Sequence, residues 1–385
     1  MCSSSRYWSV FLAVGIAVAL PGCEDRYPED LEYYFSPHTR RPDPQTNKPA
    51  PDELTEAQLS TAAQQVLARL LKPIFGTPAH PKVDLAQADE SLSLPDDPEL
   101  AGLNEKTLEE GSRLYRRFCI HCHGIVGDGR GSTGRWLNPP PRDFRTIWFK
   151  FRSTYDPSGA IALPSRADLR RTIHNGVPGA SMPSFALLSE RETEAIISYV
   201  IHLNMRGRTE HALGRILVQQ QDLSAGESEA LQALPDILRN IVQSWTRQKK
   251  LVKPVPPAPR WPIIETASTA EEAAALMRRA RDLFVNKGAC VQCHGVDGRG
   301  DPREVPDNAV RRDFWGNPLP PRDLTQGVFR GGSRPQDLFW RIRLGIAGTD
   351  MPATDEKQLS DEEVWLLVNY VMNMSRTRPA ITLAE

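Results

Sequence analysis

Two stretches of the chain carry apolar residues at helical spacing and match each other in position. They cover 188–203 and 359–374, and their apolar side chains recur three and four positions apart. Ser189 and Ser360 stand where N-cap residues are expected. The pattern predicts one amphipathic helix late in each half of the chain. The matching apolar positions are Ile196, Tyr199, Val200 and Leu203, and Leu367, Tyr370, Val371 and Met374.

Helical patterns also lie outside these two stretches. An apolar–aromatic pair, Leu114-Tyr115 in the first half and Leu283-Phe284 in the second, indicates an earlier helix in each half. Another helix is expected over 53–71 and a further one between the halves, each with its apolar residues on one side. We expect both to pack on the halves rather than to bind a partner. Their apolar residues are Leu59, Val66, Leu67 and Leu70, and Leu234, Ile237, Leu238, Ile241, Val242 and Trp245.

The N-terminus indicates an export signal. Residues 8–20 form an apolar run of 13 residues, whereas a membrane-spanning helix needs about 20. The sequence LPGC, which ends at Cys23, resembles a bacterial lipobox, in which the cysteine is lipidated. We therefore predict a signal peptide over 1–22 and lipidation of Cys23, with a plain cleaved signal or an uncleaved anchor as alternatives. All three predict a periplasmic location or the outer face of a bacterial membrane.

The composition narrows the picture without specifying a fold. With 385 residues the chain exceeds one ordinary hydrophobic core, which predicts two domains with connecting segments. A formal net charge of -1 argues against nucleic acid as a partner. The 33 prolines are too many for packed helices alone and indicate loops and linkers. They cluster at 37–51, 139–141, 254–262 and 318–321.

Four of the six cysteines form two C-x-x-C-H motifs, at 119–123 and 290–294. Two thiols three positions apart on a helical turn can reach the two vinyl groups of one porphyrin, and the adjacent histidine can bind its iron. A single motif could instead belong to a zinc site or a redox dithiol. Two copies, each followed by glycine, favour covalent haem attachment. The remaining cysteines, Cys2 and Cys23, both lie at the N-terminus.

A second axial ligand is expected downstream of each motif. Met182 lies 59 residues after His123, and Met351 lies 57 residues after His294. Both methionines precede proline, and a rigid Met-Pro loop can hold a thioether against iron. Their surroundings match at a constant offset of 169 residues, which supports a shared role. The matching neighbours are Leu169, Ile173 and Gly176, and Leu338, Ile342 and Gly345.

Other histidines and methionines fit this pattern less well. His174 is a rival ligand in the first half, but its counterpart in the second half is Arg343. His121 occupies a variable position inside the first motif and is interpreted as a bystander. The methionines in helical patterns are expected to pack in the core. They are Met205, Met277, Met372 and Met374.

On these residues, each half of the chain resembles a class I cytochrome c domain, over about 105–206 and 268–376. The resemblance implies a small all-α fold around a haem, with one porphyrin edge exposed, and the helical patterns support it independently. It also implies two covalently attached haem c groups, each containing iron. The predicted haem-binding residues are Cys119, Cys122, His123, Met182, Cys290, Cys293, His294 and Met351, of which His123, Met182, His294 and Met351 are the predicted iron ligands.

The whole chain is predicted to be all-α, with two tandem cytochrome c-like domains joined by a helical and proline-rich linker. The predicted segments are a signal peptide over 1–22, a proline-rich tether and accessory helix over 23–104, a first cytochrome c domain over 105–206, the linker over 207–267, a second cytochrome c domain over 268–376 and a C-terminal tail over 377–385.

Two loop features recur in both halves. Glycine-rich turns follow the motifs at 127–131 and 298–301. Neither follows a strand or carries a P-loop lysine, so we predict tight turns beside the haem rather than phosphate binding. Pro-Pro-Arg-Asp sequences stand at 140–143 and 320–323. Their arginines could pair with haem propionates or with the neighbouring aspartates.

The first half also contains a basic insert next to an acidic segment. Residues 111–160 carry nine Arg or Lys against three Asp or Glu, whereas residues 24–110 carry eight against eighteen. A docking surface for an acidic partner, a solvated face and pairing with the acidic segment are the alternatives.

These features predict a dihaem electron carrier that passes electrons between a membrane-associated donor and a terminal oxidase or reductase. Methionine-ligated iron has no open position for a substrate. The expected partners are redox proteins or a respiratory complex, and the membrane through the lipid anchor. The alternative is a haem enzyme, or a cytochrome subunit of a dehydrogenase or peroxidase complex, in which one sixth ligand would have to be exchangeable.

Overall fold

The computed structural model of the chain describes residues 31–37, 59–158, 161–220, 222–258, 261–300, 312–313 and 316–376. Helices dominate these residues, and none of them lies in a β-sheet. The predicted all-α fold is therefore confirmed. The predicted signal peptide over 1–22, the lipidation site Cys23 and the predicted tail over 377–385 lie outside the described residues.

The described residues contain two repeated helical units and three further α-helices. The first half contains α2 to α5 and the second half contains α8 to α11, with α1, α6 and α7 outside the two repeated units. The bounds are α1 Thr61–Phe75, α2 Glu105–Phe118, α3 Ile120–His123, α4 Arg166–Asn175, α5 Glu190–Gln219, α6 Leu223–Thr246, α7 Gln248–Leu251, α8 Ala270–Asp282, α9 Val291–His294, α10 Pro335–Leu344 and α11 Asp361–Arg376.

A close crossing of α2 and α5 forms the centre of the first half. Gly111 on α2 lies directly against Ala195 on α5, and a side chain at position 111 would collide with the Ala195 carbonyl. Close helix packing of this kind requires a small residue at the contact. Ala280 stands at the matching position of α8 and is completely buried. Both halves therefore place a small, buried residue at this position of the helix.

The final helix of each half begins as predicted. Ser189 and Glu192 form a reciprocal capping box at the start of α5. Ser360 and Glu363 make the same two hydrogen bonds at the start of α11, at 2.9 and 3.3 Å. Both N-cap predictions are confirmed, because each serine accepts from a backbone N–H that has no partner inside the helix.

The final helix of the first half is much longer than its sequence pattern predicts. The periodic stretch ends near Leu203, but α5 continues to Gln219. The additional turns bury Leu213 and Leu217 in the same hydrophobic cluster as residues of α6. One helix therefore belongs both to the first repeated unit and to the helical layer beside it, and the predicted domain end at residue 206 falls inside it.

The accessory helix differs from its prediction over 53–71. It begins at Thr61, because the Ser60 hydroxyl accepts from the Ala63 N–H and caps it, and it runs on to Phe75. Residues 53–58 lie outside the described residues. The helix packs on α5, and α6 packs on α5 as well. Both accessory helices therefore pack on the first half, as expected.

The N-terminal segment 31–37 lies against the first half. The hydroxyls of Tyr33 and Tyr199 are 3.0 Å apart, and the Ser36 hydroxyl donates to a carboxylate oxygen of Asp128 at 2.8 Å. The buried guanidinium of Arg145 donates to the Ser36 carbonyl. These contacts join the segment to α5 and to the glycine-rich turn of the first half.

The helix before the second motif differs in form from its counterpart. Tyr115 precedes Cys119 by four positions, whereas Phe284 precedes Cys290 by six. A π-helix over Leu283–Lys287 follows α8 directly and takes up the additional length. Ala289 then adopts a left-handed conformation with φ 51°. A two-residue insertion is therefore absorbed just before the second motif.

The linker joins the two halves through backbone contacts. Residues 251–253 pair with residues 153–155 of the first half, where Tyr155 N donates to Leu251 O and Lys253 N donates to Ser153 O, each at 2.7 Å. On its other side, Lys253 O accepts from the indole N–H of Trp340 at 3.1 Å. The linker is thus held between the halves.

Within the ranges that the structure describes, no helix combines the length and the apolar character needed to cross a bilayer.

Candidate functional site

The two C-x-x-C-H motifs adopt the same backbone conformation. In each, a short helix, α3 or α9, starts after the first cysteine and ends at a glycine with positive φ, Gly124 at 74° or Gly295 at 72°. Gly124 N donates to Ile120 O at 2.8 Å and Gly295 N donates to Val291 O at 2.9 Å. The helical turn places both cysteines and the histidine of each motif on one short segment, as attachment to one porphyrin requires.

The cysteines of both motifs lie in partly buried positions. Burial raises the pKa of Cys119 to about 12 and that of Cys290 to about 11. Before haem attachment, these two thiols are therefore protonated at neutral pH. Among the described residues, no group of three or more His, Cys, Asp or Glu side chains is arranged to hold a metal ion.

The motif histidines make equivalent hydrogen bonds. His123 Nδ1 lies 3.0 Å from Arg142 O, and His294 Nδ1 lies 3.1 Å from Arg322 O. A carbonyl oxygen only accepts, so Nδ1 carries the proton in both rings and Nε2 keeps its lone pair. Burial also lowers the pKa of His123 to about 4, which favours the neutral ring. Both histidines are thus prepared to offer Nε2 to a metal, and Phe144 stacks on the His123 ring at 4.3 Å.

The two Met-Pro loops are closed by the same backbone hydrogen bond. Val177 N donates to Met182 O at 3.0 Å, and Ile346 N donates to Met351 O at 3.1 Å. Each loop begins at a glycine with positive φ that ends the preceding helix, α4 or α10. Side chains at these glycines would collide with the backbone of the Met-Pro loop. The loop conformation is therefore fixed by packing and hydrogen bonding in both halves.

The glycine-rich turns pack against the Pro-Pro-Arg-Asp loops. A side chain at Gly129 or Gly300 would come within 2.5 Å of the carbonyl of Pro141 or Pro321. Close approach of two backbones explains the glycines, as predicted, without a phosphate. The aspartates of these loops bind other partners: Asp143 forms a buried ion pair with Arg145 at 2.8 Å, and Asp323 accepts from Thr325 and Gln326.

The rival residues lie apart from these contacts. His174 is exposed and its Nδ1 lies 3.0 Å from the Asn175 side-chain oxygen. His121 is exposed as well, and only its backbone carbonyl is engaged, by Thr133. The helical methionines pack in or on the cores, with Met205 completely buried.

One protein-family model matches both halves of the chain. The family model described as cytochrome C oxidase, cbb3-type, subunit III matches residues 106–200 and again residues 275–371. Each half of the chain is a c-type cytochrome domain. Two such domains bind two covalently attached haem c groups with iron, and a dihaem cytochrome of this kind transfers electrons.

A similar chain exists among solved structures. One solved chain is similar, from the Kuenenia stuttgartiensis reducing HAO-like protein complex Kustc0457/Kustc0458. It is 28% identical, the match covers 69% of this cytochrome and 96% of that chain, and the TM-score is 0.47. The search of curated proteins gave no match.

The residues of the dihaem cytochrome fit haem c. Each half offers two cysteines on one turn, a neighbouring histidine whose carbonyl contact leaves Nε2 available, and a fixed Met-Pro loop. Haem supplies one-electron redox chemistry when bound. Assignment of the individual residues as attachment sites and axial ligands stays a prediction at Cys119, Cys122, His123, Met182, Cys290, Cys293, His294 and Met351.

A set of contacts that the sequence did not predict lies between the domains. Lys150 in the basic insert pairs with Asp313 of the second domain at 3.2 Å. Arg171 of α4 lies 3.5 Å from Asp337 and stacks over Trp340 of α10. The basic insert therefore faces the second domain. This arrangement was not among the three alternatives that the sequence suggested for the insert. The one available signal was the recurrence of arginines in both halves.

Proposed function

We propose that this dihaem cytochrome carries electrons between a membrane-associated donor and a terminal oxidase or reductase outside the cytoplasm. The matching hydrogen bonds that close the two Met-Pro loops carry the proposal, because they support the same His/Met ligation at both haems. Iron with two protein ligands has no open position for substrate and is suited to outer-sphere electron transfer. Redox proteins or a respiratory complex are the partners of such a carrier.

Spectroscopy of the holoprotein tests this proposal. Ferric haem with a methionine ligand gives a weak near-infrared charge-transfer band, and we expect an intensity that accounts for two haems. Met182→Ala and Met351→Ala should each remove about half of it, because each substitution removes one thioether. Met277→Ala, at a packing methionine of α8, is the matched control and should leave the band unchanged.

Carbon monoxide provides the second arm of the same experiment. The reduced wild-type protein should not bind it, whereas each methionine variant should bind it at one haem. Binding to one haem of the wild-type protein would contradict the carrier proposal. It would favour the alternative of a haem enzyme or a cytochrome subunit in a dehydrogenase or peroxidase complex.

The membrane anchor is the second part of the proposal. Leu31 follows Cys23 by eight residues, which span at most about 28 Å when fully extended. Segment 31–37 is bound to the first domain through Tyr33 and Ser36. A lipid on Cys23 would therefore keep the first haem domain close to the membrane surface, where a membrane-associated donor lies.

Lipid labelling tests the anchor. Radiolabelled palmitate should enter the wild-type protein, and the protein should sediment with membranes. Cys23→Ser should abolish both, whereas Cys2→Ser should change neither, since Cys2 lies within the predicted signal peptide. Equal labelling of wild type and Cys23→Ser would refute lipidation at this cysteine.

A further inference from the structure

Charged side chains meet across the boundary between the two haem domains. We call this set the seam and define it by the ion pairs and charge interactions that cross the boundary. Within the described part of the chain, its cations outnumber its carboxylates by six to three. The seam consists of Arg142, Lys150, Arg152 and Arg171 with Asp168 from the first domain, and Arg330 and Arg341 with Asp313 and Asp337 from the second.

The backbone brings these charges together along two neighbouring stretches of irregular chain. A Cβ placed on Gly331 would meet the ring of Phe151 and Nη1 of Arg341, each at 2.9 Å. Arg341 lies over the Phe151 ring at 5.5 Å and donates from Nη2 to Arg152 O at 3.1 Å. Residues 150–152 therefore run directly beside 330–332.

All three carboxylates of the seam already have partners, and Asp313 binds Lys150 and the Asn317 N–H. Asp168 accepts from Arg171 and from two backbone N–H groups of its own domain. Asp337 accepts two hydrogen bonds from Arg334. Both carboxylates are completely buried. They neutralise local cations and cannot serve the whole seam.

Among the described residues, several guanidinium nitrogens of the seam are buried without an acceptor. They are Nη1 of Arg152, Nε of Arg330, and both Nε and Nη1 of Arg341. Arg341 is only 6% exposed. A buried guanidinium nitrogen without a partner is costly, since charged donors lose the full hydration of the group. Like charges also face each other here. Burial is the largest cause of the lowered pKa of Lys150, and the nearby Arg330 lowers that pKa further.

The seam also begins beside both predicted haem sites. Arg142 offers its carbonyl to the His123 ring, and its side chain interacts with Asp313 across the boundary. Arg322 offers its carbonyl to the His294 ring, and its side chain interacts with Arg330. One residue therefore links each proximal histidine to the seam. Each haem c carries two propionate carboxylates, which are well matched to arginine.

We propose that the seam is a shared binding site for the propionates of both haems, so that the two haems face each other through these groups and are electrostatically coupled. This inference rests on the proposed function, in which both haems carry electrons. It extends that function by placing the contact between the two redox centres at the domain boundary, with Arg341, Arg330 and Arg152 as the residues that bind and orient the propionates.

Redox potentiometry of the holoprotein tests the proposal. Arg341→Gln removes a positive charge, and the oxidised haem carries one more positive charge than the reduced haem, so the midpoint potential should fall. We expect both haems to respond to this one substitution, each with at least a threefold change in its equilibrium constant for reduction. At 59 mV per tenfold, a threefold change corresponds to about 28 mV. Arg330→Gln should act in the same direction.

Two control variants separate charge from structure. Arg341→Lys keeps the charge and should retain both potentials to within half of the glutamine shift. Arg239→Gln removes an exposed, ion-paired arginine of α6 and should shift neither haem. Shifts as large in Arg341→Lys as in Arg341→Gln, or a response of a single haem, would overturn a shared site.

Resonance Raman spectra give a readout that a merely structural role would not change. The propionate-bending bands should move in Arg341→Gln and not in Arg239→Gln, because hydrogen bonds to the propionates are lost. Unchanged bands with an intact near-infrared methionine signature would refute the seam while the proposed function stands. A missing methionine signature in the wild-type protein would instead refute the proposed function.

Discussion

His202 is a buried histidine that the haem chemistry does not use. It is fully enclosed on α5, and its Nε2 donates to the Phe75 carbonyl of α1 at 2.9 Å. Its ring stacks on Tyr199 and meets the edge of Phe75. Burial, partly opposed by that hydrogen bond, lowers its pKa to about 4. The ring therefore joins the accessory helix to the first domain in its neutral form.

Stability should consequently depend on pH through His202. The folded-state pKa lies below the ordinary value of 6.5, so the unfolded chain binds the proton first. The contribution is complete above pH 6.5 and is lost as the pH falls towards 4, by at most about 1.4 kcal/mol per pH unit for one proton. In His202→Gln, the free energy of unfolding in urea should change less between pH 7.5 and pH 5 than in the wild type.

A surface histidine provides the control for that measurement. His174→Gln, at an exposed position, should keep the wild-type pH dependence. The same dependence in His202→Gln as in the wild type would show that other groups control acid stability.

At the residue scale, the sequence predicted those features that depend on local chemistry. The cysteine spacing, the N-caps Ser189 and Ser360 and the glycines of the tight turns are each determined by near neighbours in the chain. The carbonyl partners of His123 and His294 could not be predicted, because they lie 19 and 28 positions away. Loop length alone does not determine which backbone atom meets a ring.

The π-helix before the second motif is the main difference between the two halves at the scale of elements. Two additional residues fit because Leu283–Lys287 widens its turn, so that Gly288 N donates to Leu283 O at 2.7 Å. Ala289 must then take a left-handed conformation, which costs an L-residue about 1–2 kcal/mol. The sequence periodicity did not predict this arrangement, because apolar spacing is insensitive to a single wide turn.

Replacing Ala289 should therefore stabilise the second domain. Ala289→Gly relieves the left-handed strain at some cost in unfolded-state entropy, and we expect a net gain of about 0.5–1 kcal/mol in denaturant unfolding. Ala275→Gly, at an exposed position inside α8, is the matched control. It should lose about 1 kcal/mol, as glycine does in a helix interior. A loss in both variants would mean that Ala289 carries no strain.

The sequence pattern predicted the accessory helices but not the full length of α5. Apolar stripes correctly predicted that α1 and α6 exist and pack on a domain. The length of α5 was missed because its second part is buried on several sides by α1, α6 and segment 31–37, so its pattern is not that of a helix with one solvent face.

At the scale of the whole molecule, the indole of Trp340 connects three parts of the chain. It donates to Lys253 O of the linker, and the guanidinium of Arg171 lies 4.9 Å from its ring centre. Nothing in the local sequence predicts this, because the contact joins residues more than 80 positions apart. The seam could not be predicted either. The sequence showed a basic insert in the first half but not that this insert contacts the second domain.

Loss of this indole should loosen the docking of the two domains. Trp340→Ala removes the hydrogen bond and the stacking, and we expect a loss of about 3 kcal/mol at the domain contact. The radius of gyration from small-angle scattering should rise, and the two domains should unfold in separate steps. Trp136→Ala, at a side chain that is 76% exposed, should change neither property. An unchanged scattering curve for Trp340→Ala would assign the docking to other contacts.

The long helix α5 has a consequence for how the cytochrome matures. It forms the core of the first haem domain with α2, and its later turns support α6, which leads into the linker. A chain that has not received its first haem therefore lacks a stable platform for everything that follows, whereas a chain without its second haem keeps that platform. We expect the two attachment events to be unequal: failure at the first motif exposes the protein to proteolysis, and failure at the second leaves a persistent single-haem form.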